Sequence, residues 1–234
     1  MFWALHIKIH YADYYYEVLL MAYGLTVLND SGLISIDSEF ARLCVMQSGS
    51  YTQSVSIQFS PTITSQEPPL FFIRPNNNGG VVNLGCRFSG SAGNWTGVTV
   101  VSNSSTTGSY FVATFSPTPK SGYGMRLWNS AGGLIFDSGS QPAVFSRFAQ
   151  NWTYETSTLD DQGYYINWYS IPMIAAGEYL LINNAGMRMV AGNVRGRSTS
   201  IYFDFSLSKL WFTTTALSNP FAFSLPAVLA KLTA

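Results

Sequence analysis

His6 and His10 are the only histidines in a chain of 234 residues, and they stand four apart. On a helix that spacing would turn two imidazoles to one face, where both could ligate one metal ion. No third ligand of suitable type stands near them, so no metal site is expected. From Met21 onward the chain has no histidine at all. That removes Ser-His-Asp and Cys-His catalysis in their ordinary forms. Asp160-Asp161 is the sole adjacent pair of acids. A glycosidase needs two carboxyl groups flanking a sugar across roughly 5 to 10 Å. Sequence neighbours in the polar stretch 157–163 fit a solvated turn better. Asp37 and Asp137 each precede a serine, and their recurrence points to Asx turns closing a strand. There is no phosphate-binding glycine loop and no dinucleotide fingerprint. The chain is therefore expected to be no enzyme, with no catalytic residues, no metal and no cofactor.

Other residues suit binding. Asn76, Asn77 and Asn78 lie in a polar loop that ends in two glycines. Arg195 and Arg197 flank Gly196 in a second loop and could meet a phosphate or a sugar acid, although a plain exposed turn fits them as well. Trp152, Tyr154, Tyr164, Tyr165, Trp168 and Tyr169 form the densest aromatic stretch. Aromatic faces fill β cores and also stack on sugars. Trp152 and Trp168 are the two candidates for saccharide stacking.

Elements that could position these residues are short strands. Leu25-Thr26-Val27-Leu28 alternates with period two, and Asn29-Asp30-Ser31-Gly32 carries turn chemistry. Leu33 to Ile36 then returns as a second strand. The pattern Tyr-Gly, strand, Asn-x-x-Gly, strand, Asp-Ser recurs 100 residues later, from Tyr123 to Ser138. Both stretches read as β-hairpins. Further strands are expected at 54–59, 68–74, 81–88, 96–101, 110–115, 143–148, 164–169, 178–183, 187–190, 200–205 and 209–214. Only 225–232 hints at a helical period. The run Ser116-Pro117-Thr118-Pro119-Lys120-Ser121-Gly122 reads as a linker. The expectation is an all-β fold of two sandwich-like domains, 21–116 and 123–234, joined by 117–122 and each opening with a related hairpin.

Composition narrows the partners. Charged residues make up 10% and the formal net charge is zero, against a usual charged share of about a quarter. Nucleic acid needs clustered Lys and Arg, so it is not an expected ligand. A surface of low charge favours association, and a homo-oligomer, such as a trimer, is expected. Cys44 and Cys86 are the only cysteines and read as two buried thiols, with one disulfide as the alternative. Residues 1–20 are apolar and aromatic but interrupted by Asp13 and Glu17. They suit neither a signal peptide nor a membrane span. Met21 opens directly into the first hairpin and is expected to be the natural start, which makes 1–20 a doubtful extension.

The hairpin motif, with Leu70-Phe71-Phe72-Ile73-Arg74-Pro75 and the second hairpin ending Phe136-Asp137-Ser138-Gly139, resembles a family of tail proteins from long, non-contractile-tailed bacteriophages. The resemblance covers Met21 to about Phe148. It implies a non-enzymatic component of the distal tail, a tail-tip or tail-fibre-associated protein. It also implies assembly in the bacterial host cytoplasm, residence in the virion, other tail proteins as partners and a contribution to host attachment. No functional residue is carried over by it. The alternative expectation is a saccharide-binding module directed at a host-surface glycan.

Overall fold

The computed structural model describes residues 6–9, 25–28, 34–37, 41–102, 105–120, 122, 124–129, 131–161, 163–185, 188–189, 197–216 and 223–232. Among them run twenty strands and no helix. The first five are β1 (His6–Ile9), β2 (Leu25–Leu28), β3 (Ile34–Asp37), β4 (Cys44–Thr52) and β5 (Val55–Ile63). Next come β6 (Leu70–Pro75), β7 (Val81–Ser91), β8 (Asn94–Ser102), β9 (Thr107–Thr114) and β10 (Arg126–Trp128). Then follow β11 (Leu134–Asp137), β12 (Ala143–Ala149), β13 (Thr153–Leu159), β14 (Tyr165–Pro172) and β15 (Tyr179–Leu181). The remainder are β16 (Arg188–Met189), β17 (Arg197–Ser198), β18 (Ser200–Asp204), β19 (Lys209–Ala216) and β20 (Ala227–Leu232). The all-β expectation holds.

The chain forms two compact units, each made of two separated stretches. One comprises Met1–Cys44 and Phe115–Pro142, the other Val45–Thr114 and Ala143–Ala234. The larger unit carries a six-stranded sheet, β12-β20-β15-β6-β9-β4, and a seven-stranded sheet, β13-β14-β19-β18-β7-β8-β5. Both sheets combine strands from before and after 117–122, in two blocks that meet at the β15–β6 and β18–β7 pairs. The expected partition into 21–116 and 123–234 is therefore not how the strands pair. β6 explains why: it bonds β9 on one side and β15, about 110 residues away in sequence, on the other.

Period-two side-chain alternation builds the core between the sheets. The six-stranded sheet contributes Phe71, Ile73, Tyr110, Val112, Leu180 and Leu229; the seven-stranded sheet contributes Val82, Leu84, Val100, Phe203, Leu210 and Phe212. Each such side chain contributes roughly 1.5–3 kcal/mol by leaving water. Phe72 and Phe111 alternate with these and so lie on the other face of the six-stranded sheet, yet both are fully buried. They face each other across the β6–β9 pair as stacked rings 4.6 Å apart, and Tyr179 meets Phe111 edge-on at 5.0 Å. The middle of this sheet is thus covered on both faces.

The smaller unit holds the repeated motif. β2 pairs with β3 through Thr26↔Asp37, Val27↔Ile36 and Leu28↔Ile34. β10 pairs with β11 through Arg126↔Asp137, Leu127↔Phe136 and Trp128↔Leu134. The registers correspond residue for residue at an offset of 100, and both hairpins slip at the same step, between Val27/Leu28 and Leu127/Trp128. β1 adds to the outer edge of β2. The second turn works as its residues suggest. Asn129 Oδ1 accepts from the Ala131 and Gly133 N–H groups at 3.1 and 2.7 Å, and Gly132 takes a φ of 78° that suits glycine. Asp137 Oδ1 accepts from Gly139 N–H at 2.7 Å, the expected Asx turn, while its Oδ2 holds Arg126 Nε at 2.7 Å. The Arg126 hydrogen bond keeps the Asp137 carboxyl below the usual carboxylate range.

Local pattern misleads in two places. Residues 227–232, read with a helical period, form β20, which bonds β12 on one side and β15 on the other. Two flanking strands satisfy its backbone more fully than a short isolated helix could. β13, Thr-Tyr-Glu-Thr-Ser-Thr-Leu, has no expected strand because it is an edge with few apolar residues. Cys44 and Cys86 are free thiols. Burial raises both, and pushes Cys86 up to about 12.

One charged group anchors the β12 edge. Glu178 is buried and accepts from Ser146 Oγ at 2.9 Å, Arg147 Nε at 3.2 Å and the Ala175 N–H at 2.8 Å. Asn167, on the inner face of β14, is the opposite case. It is fully buried, and neither amide atom has a hydrogen-bond partner among the described residues. Asn167→Leu is expected to stabilise the fold by about 1 kcal/mol, because an unpaired buried amide is replaced by a similar apolar volume. Urea unfolding checks this, and a loss of stability in Asn167→Leu would contradict it.

Candidate functional site

Three connections meet around a polar recess in the larger unit. They are the β4–β5 turn, the β6–β7 loop and the segment leading into β9. Thr52, Gln53, Asn76, Asn77, Asn78, Ser105, Thr106 and Thr107 line a recess of about 290 Å³. Backbone bonds tie its walls together: Gln53 N–H donates to Thr106 O at 2.5 Å, and Asn76 N–H to Thr107 O at 2.8 Å. Asn76 Nδ2 also donates to Thr107 Oγ1 at 2.8 Å. Asn77 and Asn78 each spend Oδ1 on a glycine two residues on, Gly79 at 2.8 Å and Gly80 at 3.0 Å. Gln53 sits at φ 56°, a left-handed conformation uncommon outside glycine and asparagine. Beneath the recess, Gly108 permits a close backbone approach: a Cβ there would strike the Arg74 carbonyl and come within 2.6 Å of the Tyr51 ring.

A second cluster lies on the outer face of the seven-stranded sheet. Trp211 in β19 stands opposite Tyr202 in β18 and Ser170 in β14. Trp168 lies 5.3 Å from the Tyr202 ring and 6.1 Å, edge-on, from Trp211. All three rings are half-buried. The Trp168 indole N–H donates to Thr158 Oγ1 at 3.4 Å, and Lys209 Nζ sits 5.0 Å over Trp211. Lys209 also pairs with Glu155, which accepts from Ser170 Oγ as well. Lys209 first, then Ser170, hold the Glu155 carboxyl below its ordinary range. Asp204 is buried beside the cluster. Burial would raise its carboxyl, but bonds from Ser206, the Leu207 N–H and the Trp211 side chain outweigh this and lower it.

Trp152 and Trp168 are not brought together. Trp152 packs on Phe212 and Phe223 at 5.6 and 5.5 Å, and donates its indole N–H to Leu225 O at 2.7 Å. It fills the core, whereas Trp168 stands on the outer face. Asp160 and Asp161 lie at the β13–β14 turn, where Asp160 Oδ1 accepts from the Tyr164 N–H at 2.8 Å. The three asparagines share one recess. Arg197 falls in β17, where only the backbone is described, and Arg195 and His10 lie outside the described residues. Among the described residues no three of His, Cys, Asp and Glu gather as a metal site would require. No helix among the described residues is long and apolar enough to cross a membrane.

Sequence reasoning missed Thr52, Gln53, Ser105, Thr106 and Thr107 in the recess, and Tyr202 and Trp211 in the aromatic cluster. Trp211 was recoverable. It alternates with Leu210 and Phe212 in an expected strand, which places it on the opposite face. The recess was not, because it depends on three loops that only the sheet topology assembles. Comparison with protein-family models, curated proteins and solved structures finds no match.

Proposed function

We propose that this chain is a non-enzymatic structural component of a bacteriophage tail, placed at the distal tail and packed on other tail proteins. The observation that carries the reading is the matched pairing of the two hairpins, down to the shared slip. The motif that resembles the tail family is thereby a repeated structural unit rather than a chance run of letters. Low charge supports the same reading, since a surface of hydroxyls and amides can be covered by other protein without stranding many ions. The duplicated unit, a homo-oligomer such as a trimer, and residence in the virion belong to this proposal. Mass spectrometry of gradient-purified virions should recover peptides of this chain alongside the other tail proteins. Particles that lack it reject the proposal.

A saccharide-binding role at the host surface is the second reading, favoured by the half-exposed Trp168, Tyr202 and Trp211 rings. Pyranose rings stack on such faces while flanking hydroxyls and carboxylates bind their OH groups. Glycan binding by the purified chain supports it.

A further inference from the structure

The geometry points to the recess formed by Gln53, Asn76–Asn78 and Ser105–Thr107 as a binding site for a neutral, hydroxyl-rich ligand, a segment of an uncharged glycan. The inference deepens the saccharide-binding reading and rests on it.

The lining decides the ligand class. All eight lining residues carry an amide or a hydroxyl. No charged side chain is among them, so a phosphate, a carboxylate or a cation entering the recess would shed water without gaining a countercharge. No apolar side chain is among them either, so a lipid tail or a hydrophobic peptide anchor would gain nothing from burial there. What suits amides and hydroxyls is a solute that is itself a dense array of hydroxyl donors and acceptors. At about 290 Å³ the recess has room for a small ligand segment, near the lower end for ligand pockets.

Its walls are also held in place. The Gln53–Thr106, Asn76–Thr107 backbone and Asn76–Thr107 side-chain bonds fix three loops to one another before any ligand arrives. Thr106 is buried at the base, 5% exposed. Asn77 and Asn78 fold their Oδ1 atoms back onto the loop, and their Nδ2 groups have no hydrogen-bond partner among the described residues. Four N–H donors on a fixed loop are thus free for acceptor oxygens. The left-handed Gln53 adds an amide on the opposite wall. A preformed site of this kind loses little conformational freedom on binding.

The test titrates the full chain with maltohexaose, cellohexaose and chitotetraose as neutral probes, and with sialyllactose and inorganic phosphate as charged ones, by calorimetry and by ¹⁵N spectra of the side-chain amides. The double variant Asn77→Asp/Asn78→Asp keeps the Oδ1 acceptors that hold Gly79 and Gly80 but removes all four donors. Gln53→Gly relieves the backbone and removes the opposite amide. At least one neutral probe should bind and shift the Asn and Gln amide signals. The Asp variant should weaken it tenfold or more with its melting temperature within a few degrees of the parent, and Gln53→Gly should weaken it several-fold. Unchanged affinity in both variants overturns the inference. Affinity lost in Trp168→Ala or Trp211→Ala but kept in the recess variants also overturns it, and leaves the saccharide reading standing on the aromatic cluster. Binding of the charged probes alone overturns it as well. If no glycan probe binds, neutral or charged, both the inference and that reading fall.

Discussion

Glu178→Ala is expected to destabilise the fold by about 2 kcal/mol, because one buried carboxylate serves several donors at once and its Arg147 partner is only half-buried. The carboxylate is the common acceptor for Ser146, Arg147 and the Ala175 N–H. Removing it leaves the Ala175 N–H and the Ser146 hydroxyl without their shared acceptor and Arg147 without a countercharge at the sheet edge. Glu178→Gln keeps the size and some of the bonds, and should cost about half as much. The same group predicts an acid response. Burial alone would raise the Glu178 carboxyl, but the bonds from Ala175, Ser146 and Arg147 outweigh it and hold the group below its ordinary range. A carboxyl lowered in the folded state binds its proton more readily when unfolded. Its contribution is therefore present above the unfolded value of about 4.3 and is lost as pH falls through the folded value. Asp137, Glu155 and Asp204 are lowered too and act in the same direction. Urea midpoints measured from pH 7 down to pH 2 should fall below pH 4.5, and the Glu178→Gln slope should be shallower than that of the parent. Parallel slopes would contradict the assignment.

Phe111→Ala is expected to cost about 3–5 kcal/mol, with Phe72→Ala similar, as for other fully buried phenylalanines. An ordinary two-sheet sandwich would predict little effect at these positions, because alternation turns both rings away from the core between the sheets. They are nonetheless fully buried and stacked on each other. Because each ring is the other's main aromatic neighbour, the double variant should cost less than the sum of the two singles, by about 0.5–1.5 kcal/mol. Denaturant unfolding of the four proteins in this cycle measures it. Single-variant losses below about 1 kcal/mol would show that this face is solvated in solution.

Legibility in the sequence followed the range of the interactions. Strands set by local pattern were readable: 68–74, 81–88 and 209–214 match β6, β7 and β19 closely, because β7 buries alternate residues, Val82 and Leu84, and β6 and β19 each carry a short apolar run. The turn chemistry at Asn129 and Asp137 was readable for the same reason, since partners lie within a few residues. β13 was not, because an edge strand with polar residues on both faces lacks periodicity. The pairing order was not readable either. The linker-like 117–122 looks like a boundary by composition, but strand partners are chosen by surface match over the whole chain. The recess inherits that limit: its asparagines are visible as a loop, and their neighbours are not.

The position of β20 has a further consequence. It lies between β12 and β15 in the six-stranded sheet. Until residues 227–232 leave the ribosome, β12 has no neighbour in that sheet and β15 offers a bare edge. During synthesis the apolar residues Val144, Phe145 and Phe148 must wait unpaired for about eighty residues of further translation. That interval is when a chaperone or a neighbouring nascent chain has its best opportunity to bind.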